Sequence, residues 1–181
     1  MSNKSDTTYY KENKNLHFFK LYIIIYLEVL CDLKLLVISD THGYLGNAVS
    51  AIEKEKPDYI LHLGDIADDC DELTAMYPRK VVTCVLGNND FFNKRYPLER
   101  RFELCGKKFF MCHGHKYNVK QSLFPLKMAA DDADIVLYGH THVSLCEKDG
   151  DMLIMNPGST STYGIINIDD NGEIFSEIVR A

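Results

Sequence analysis

Residues 33–39 read LKLLVIS, and Asp40–Gly43, directly after them, read DTHG. A continuous apolar run without polar alternation belongs to a strand covered on both faces, and this one stops abruptly at a polar loop. Downstream, residues 44–56 place Leu45, Ala48, Val49 and Ile52 on one helical face, and Pro57 ends the pattern. The cycle then repeats. YILHLGD (59–65) is a strand running into a loop, Asp69–Met76 a short helix, and KVVTCVLGNND (80–90) another strand and loop. This β-α-β-α-β order predicts a parallel sheet with helices on its faces, and ligands gather at the carboxyl ends of such strands.

Beyond Asp90 the pattern changes. RRFELCGKKFFMCHGH (100–115) predicts a hairpin turning near Cys105-Gly106, whose second strand runs out into HGH. A helix over residues 121–130 and a strand-to-loop segment DIVLYGHTH (134–142) come next. The rest is β-rich, with turns at Asp149-Gly150, Pro157-Gly158 and Asn171-Gly172. The first half therefore reads as βαβ and the second as mostly antiparallel, forming one domain over 34–181.

Residues 1–33 stand apart. Lys20 and Glu28 interrupt their apolar stretch, whose clean run from Leu21 to Leu27 is far below the roughly 20 residues a membrane span needs. Glu28, Val29 and Leu30 do not make a small-residue cleavage site. The segment reads as an added element packing on the domain or on a second subunit, or as the product of a start codon placed upstream of the true one. The 181 residues are 46% hydrophobic and 25% charged, as in globular chains. A net charge of -6 argues against a general nucleic-acid or anionic-membrane binder. Six scattered cysteines without a CxxC read as reduced thiols, mostly buried, in a cytoplasmic protein.

The residues just past each strand decide the function. Asp40 and His42, Asp65, Asn88, His113, and His140 with His142 all stand at the exit of an apolar run. The last two, spaced two apart, point to the same side of an extended backbone. Any one of these residues has an ordinary use as a turn former or cap. Together, successive strand ends deliver two carboxylates, one amide and four imidazoles to one edge, too many for one zinc ion and suited to two ions sharing a ligand. A carboxylate is the natural bridge, and Asp65 is the candidate. Nitrogen and oxygen ligation without thiolate suits Mn²⁺, Fe, Zn²⁺, Co²⁺ or Ni²⁺ and does not choose among them.

The blocks DTHG, GD, GNND, HGH and GHTH, in that order and trailed by NPGS at Asn156–Ser159, resemble those of the calcineurin-like metallophosphoesterases. The likeness is closest to their small bacterial and archaeal phosphodiesterase branch, which is related to the retromer subunit Vps29. It implies a four-layer α/β/β/α sandwich of two mixed sheets flanked by helices. It also implies a first ion held by Asp40, His42, His142 and bridging Asp65, and a second held by Asp65, Asn88, His113 and His140, about 3.5 Å away. A hydroxide bridging the ions would attack phosphorus in line with the leaving group, while Asn88 donates to a phosphoryl oxygen. Two divalent ions less two carboxylates and a hydroxide leave about +1, enough to draw a phosphate to an acidic protein.

Many relatives carry histidine after the ligand asparagine, where it can protonate the leaving oxygen; here that residue is Asn89. Without this proton transfer, worth roughly 10²- to 10⁴-fold, small phosphodiesters with good leaving groups are the expected substrates. His115 is the substitute candidate for substrate contact or proton donation. Asp90 is expected to orient a ligand, His62 to lie in the core or behind the site, and the run Asp68, Asp69, Asp71, Glu72 to be a solvated helix start. NPGS predicts a turn near the metals. The basic residue that relatives often carry after it is missing from STSTYG (159–164), which leaves a second phosphate-bearing group without an anchor there. Phe91, Phe92 and Tyr96 suit a substrate wall or an interface between copies. The competing reading is a Vps29-like scaffold without catalysis, which the full ligand set disfavours.

Overall fold

The computed structural model describes residues 32–181. Expectations for residues 1–31 lie outside them. The strands are β1 (Leu33–Ile38), β2 (Tyr59–His62), β3 (Val81–Cys84), β4 (Glu99–Leu104), β5 (Lys107–Cys112), β6 (Ile135–Leu137), β7 (Leu145–Asp149), β8 (Met152–Asn156), β9 (Thr162–Ile168) and β10 (Ile174–Arg180). The helices are α1 (Gly46–Glu55), α2 (Ala67–Met76) and α3 (Phe124–Ala129), with a 3₁₀ turn at His115–Tyr117.

Two five-stranded mixed sheets form, in the orders β10-β9-β1-β2-β3 and β4-β5-β6-β8-β7. Strand alternation sorts the side chains into layers. Leu35 and Val37 of β1 meet Phe109 and Met111 of β5, Leu153 and Met155 of β8, and Ile166 and Ile168 of β9 in the core between the sheets. Leu36 and Ile38 face the other way, onto Ala48, Ala51 and Ile52 of α1 and Leu73 of α2. On the far side, Phe110, Val136 and Ile154 pack on Leu126 of α3. The result is the four-layer α/β/β/α sandwich implied by the motifs.

The centre of the second sheet departs from the expected antiparallel reading. Strands β5, β6 and β8 run parallel, with Phe109 opposite Ile135 and Ile135 opposite Leu153. The connection through α3 is long enough for a parallel crossover, and the β7–β8 hairpin turns β8 back alongside β6. Helices α1 and α3 are shorter than their apolar patterns, while α2 begins at Ala67, before the expected Asp69. At α1, Lys56 adopts a left-handed conformation (φ 49°) and donates its N–H to the Ile52 carbonyl just before Pro57. At α3, a proline in the first turn sets a later start than residue 121. Among the described residues, no helix is long and apolar enough to cross a membrane.

Candidate metal centre

The carboxyl ends of β1, β2, β3, β5 and β6 lead into the loops that carry Asp40 and His42, Asp65, Asn88, His113, and His140 with His142. Asp40, His42, Asp65, His140 and His142 all have positive φ, between 49° and 68°. Such angles are uncommon outside glycine, and Asp and His are among the residues that tolerate them. His140 and His142 therefore converge through left-handed turns, and not through the extended backbone expected from their spacing. Glycines let the loops close. A Cβ on Gly87 would lie 2.1 Å from Asp65 Oδ1 and 2.4 Å from its backbone nitrogen, and one on Gly139 would lie 2.0 Å from Ser39 Oγ.

Two groups of metal-competent atoms result: Asp40, His42 and His142, and Asp40, Asp65 and His113. Asp40 is fully buried. Its Oδ2 accepts from Ser39 Oγ at 2.5 Å and from the His140 N–H at 3.0 Å. Its Oδ1 is buried with no hydrogen-bond donor. That oxygen lies 3.1 Å from His142 Nε2 and 3.9 Å from His113 Nε2. Asp40 is the carboxylate common to both groups, whereas Asp65, the bridge implied by the motifs, belongs to one.

His113 makes the case for a cation. Its Nδ1 lies 2.7 Å from the Leu63 carbonyl, which assigns the ring proton to Nδ1 and leaves Nε2 with a lone pair. Around that Nε2 stand Asn88 Oδ1 at 3.1 Å, His140 Nδ1 at 3.2 Å and Asp65 Oδ1 at 3.4 Å. The amide and carboxylate oxygens have only lone pairs to offer. Acceptors crowded on an acceptor repel one another unless a positive ion sits among them, so the residues fit a metal. A backbone carbonyl behind the ring is also the usual way a ligand histidine is oriented.

Electrostatics keeps the His140 imidazole ready to coordinate. Burial, then His113, then Lys120 push the His140 pKa down to about 4, against the opposing pull of Asp40 and Asp65. His115 is likewise lowered, first by burial and then by His113. Its ring centroid is 5.4 Å from that of His113 and 6.2 Å from that of His140, and its Nδ1 is buried without a partner. His115 thus stands beside the second group.

Asn89 and Asp90 act behind the candidate ligands. Asn89 donates its backbone N–H to Asp65 Oδ1 (3.1 Å) and its side-chain amide to Oδ2 (2.9 Å), so it fixes the carboxylate plane. Asp90 accepts from Gly87 N–H at 2.7 Å through Oδ2, and through Oδ1 from Ile66 N–H at 3.2 Å and Ala67 N–H at 2.7 Å. It ties the Asn88 loop to the start of α2, whose first donors it satisfies. Phe91 and Phe92 come next in the chain, 81% and 100% exposed.

This architecture and donor set match known proteins. Residues 33–167 match the family model of the calcineurin-like phosphoesterase superfamily domain. The chain belongs to this superfamily. A probable metallophosphoesterase of Mycoplasma pneumoniae is 32% identical to it over 136 residues, covering 70% of this chain and 78% of the relative. Phosphodiesterase MJ0936 of Methanocaldococcus jannaschii is 29% identical over 154 residues, covering 72% of this chain and 86% of that one. The structure of vacuolar protein sorting 29 from Cryptosporidium parvum superposes with a TM-score of 0.64 at 18% identity, over 83% of this chain and 98% of that one, a likeness of fold alone. The protein is accordingly a metal-dependent phosphoesterase.

Several residues shape this calcineurin-like site from behind the candidate ligands. His62, fully buried, accepts the Gly64 N–H at Nδ1 (3.2 Å), so its Nε2–H donates to Thr41 Oγ1 at 2.8 Å. Thr41 Oγ1 donates in turn to Asp69 Oδ2 at 2.6 Å, which also takes the Gly43 N–H at 2.8 Å. This buried chain fixes the loop between Asp40 and His42. Asp69 is thus an internal anchor and not part of a solvated helix start, while Asp68 and Asp71 do face outward and pair with Arg95. A lone histidine inside an apolar strand was the available signal for His62, since a buried imidazole requires partners. Asn156 serves the opposite loop, donating to Gly139 O and Thr141 Oγ1, both at 2.9 Å, and accepting the Gly158 N–H. Ser159 Oγ lies 3.5 Å from the Asp40 carbonyl, so NPGS does turn beside the centre.

The His62 chain carries a pH signature. Burial lowers its pKa from 6.5 to about 4, and a proton on Nδ1 would face the Gly64 donor. Between those two values the unfolded chain binds a proton that the folded one refuses, so stability falls as pH falls through the window. The slope reaches up to about 1.4 kcal/mol per pH unit. Urea unfolding of the metal-free protein at pH 7, 5.5 and 4.5 should show this loss, and His62→Gln should flatten it. Parallel pH profiles for the two proteins would refute the assignment.

Proposed function

We propose that the protein is a cytoplasmic phosphodiesterase that works with two divalent metal ions, Mn²⁺ being the expected one, on small phosphodiesters. The observation that carries this reading is the crowding of lone pairs around His113 Nε2, together with the donorless, buried Asp40 Oδ1 shared by both groups. Asp40, His42 and His142 would hold one ion, and Asp65, Asn88, His113 and His140 the other. The motif resemblance supports Asp65 as the bridging ligand, while the distances support Asp40 Oδ1 as the atom nearest both groups. Donors of nitrogen and oxygen without thiolate suit Mn²⁺, with Ni²⁺, Zn²⁺, Fe and Co²⁺ as competitors. Cys70, Cys84, Cys112 and Cys146 are free thiols, whereas Cys105 is disulfide-bonded and departs from the expectation that all the cysteines are reduced.

Bound ions would supply positive charge for phosphoryl oxygens and a water acidic enough to react near neutral pH. The chain's own residues do the positioning. Asn88 turns Oδ1 toward His113, which leaves its amide hydrogens for a phosphoryl oxygen in place of Asn89 Oδ1, 3.2 Å away. Asn89 holds Asp65 and, having no acidic proton, leaves the departing oxygen unprotonated. His115, whose ring lies 5.4 Å from that of His113, would contact the substrate or supply a proton.

The test is hydrolysis of bis(p-nitrophenyl) phosphate by metal-stripped protein, with Mn²⁺, Ni²⁺, Zn²⁺ and Mg²⁺ returned singly and Asp65→Asn run in parallel. Turnover that needs an added ion and is lost in the variant is expected. A folded protein inert with every ion would overturn the enzyme reading and favour the scaffold.

A further inference from the structure

The end of the sandwich away from the metal-bearing loops is open. A groove of about 560 Å³ lies there, lined by Lys107 at the start of β5, Asp134 just ahead of β6, Leu153 in β8, and Gly172, Ile174 and Phe175 around the β9–β10 turn. The carboxyl ends of β5 and β6 lead to His113 and His140, so these amino ends face the opposite way. The walls are partly apolar. Phe175 is 53% exposed, and Leu33, Leu104, Cys105 and Ile174 pack on the core between the sheets while staying partly exposed. The β4–β5 and β9–β10 turns meet across the groove, since a Cβ on Gly172 would lie 3.6 Å from Lys107 Cε.

The chain enters the domain at this same end. Leu33 stands opposite Ile168, which stands opposite Ile174, so the three share one row across the sheet and β1 begins about 10 Å from the groove wall. Upstream of it, residues 16–30 read LHFFKLYIIIYLEVL, an apolar stretch that needs a surface to cover. Cys105, two residues before Lys107, is disulfide-bonded, whereas Cys70, Cys84, Cys112 and Cys146 are free, and Cys31 is the sixth cysteine of the chain. We propose that residues 16–31 of this chain are the occupant of the groove, fastened by a disulfide between Cys31 and Cys105. One residue, Asp32, separates Cys31 from β1, so the segment meets the groove at a local concentration that a second copy does not match. Forming the bond takes two protons and two electrons from the thiols, and a small disulfide such as oxidised glutathione accepts them and leaves as two thiols. The cover lies far from the metal-bearing loops, so it supports the fold without shielding the site.

Disulfide mapping and hydrogen exchange on the full chain test it. After equilibration with oxidised glutathione and blocking with N-ethylmaleimide, a tryptic digest is expected to hold peptide 21–34 joined to peptide 102–107, and reduction should separate them. Hydrogen exchange reports the docking itself. The N–H groups of Leu153 and Gly172, both at the groove, bond to the carbonyls of Asp134 and Asp169. In the double variant Ile23→Asp/Ile25→Asp, which keeps both cysteines, their exchange should speed up by about tenfold or more. Exchange at residues 40–43 should stay as in wild type, which shows that the domain remains folded. Absence of the joined peptides, or equal exchange at the groove in wild type and variant, overturns the proposal. So does a wild type that sediments as a dimer and loses protection at these amides on dilution, since the groove then belongs to a second copy.

Discussion

Asp40→Asn is expected to release metal and lower kcat/KM on an aryl phosphodiester by about 10³-fold or more, the several kcal/mol that a catalytic ion contributes. The reason lies in the two oxygens of one carboxylate. Oδ2 is committed to two donors, Ser39 Oγ and the His140 N–H. An asparagine must keep its carbonyl oxygen there, which turns its NH₂ toward the position of Oδ1, between His142 and His113. A donor without charge then replaces the acceptor common to both groups. Elemental analysis should show fewer ions per chain than in wild type. Stability should move the other way in the metal-free protein, because a buried, donorless carboxylate oxygen is relieved by the exchange. Metal-free Asp40→Asn should melt at or above the wild-type temperature, and added Mn²⁺ should no longer raise that temperature as ligand linkage requires. A variant that keeps its full metal content would remove Asp40 from the site.

The second large effect concerns the leaving group. Wild type should hydrolyse esters of acidic phenols well and alkyl esters poorly, since Asn89 cannot donate the roughly 10²- to 10⁴-fold proton transfer. Asn89→His should raise the rate on an alkyl phosphodiester and on phosphomonoesters by about 10²-fold, flattening the dependence of rate on leaving-group pKa. Asn89→Ala separates this chemistry from the positioning role. It loses the 2.9 Å bond to Asp65 Oδ2 but keeps the backbone bond to Oδ1. Its cost should be about tenfold or more and equal on all substrates, as for groups that orient metal ligands. A wild-type enzyme that cleaves monoesters faster than activated diesters would contradict this assignment.

The fold was readable where neighbours in sequence are neighbours in space. The run from Leu33 to Ile38, the turn at Cys105-Gly106 and the strand ends carrying Asp, Asn and His are local patterns, and all stand where their patterns placed them. The pairing of β5, β6 and β8 was not readable, because it depends on what crosses between strands and not on the strands themselves. The same holds around the metal centre. Each candidate ligand announces itself by standing just past an apolar run, but Asp69 looks like any acidic residue in a first helical turn. Only the arrival of Thr41 and Gly43 from a distant loop makes it an anchor. Asp90 was singled out as a residue that orients a ligand, but that its three backbone donors come from two loops could not be read from the chain.

The left-handed backbone at Asp40, His42, Asp65, His140 and His142 bears on how such a sequence can drift. Positions of this conformation reject β-branched and most bulky residues and accept Asn, Asp, His and above all Gly. That short menu overlaps the one metal chemistry draws on, so two unrelated demands fall on the same five residues. A lineage that abandoned catalysis would lose one demand and keep the other. Its loops would still favour asparagine, aspartate, histidine or glycine, and a glycine there would silence the metal site while leaving the sandwich intact.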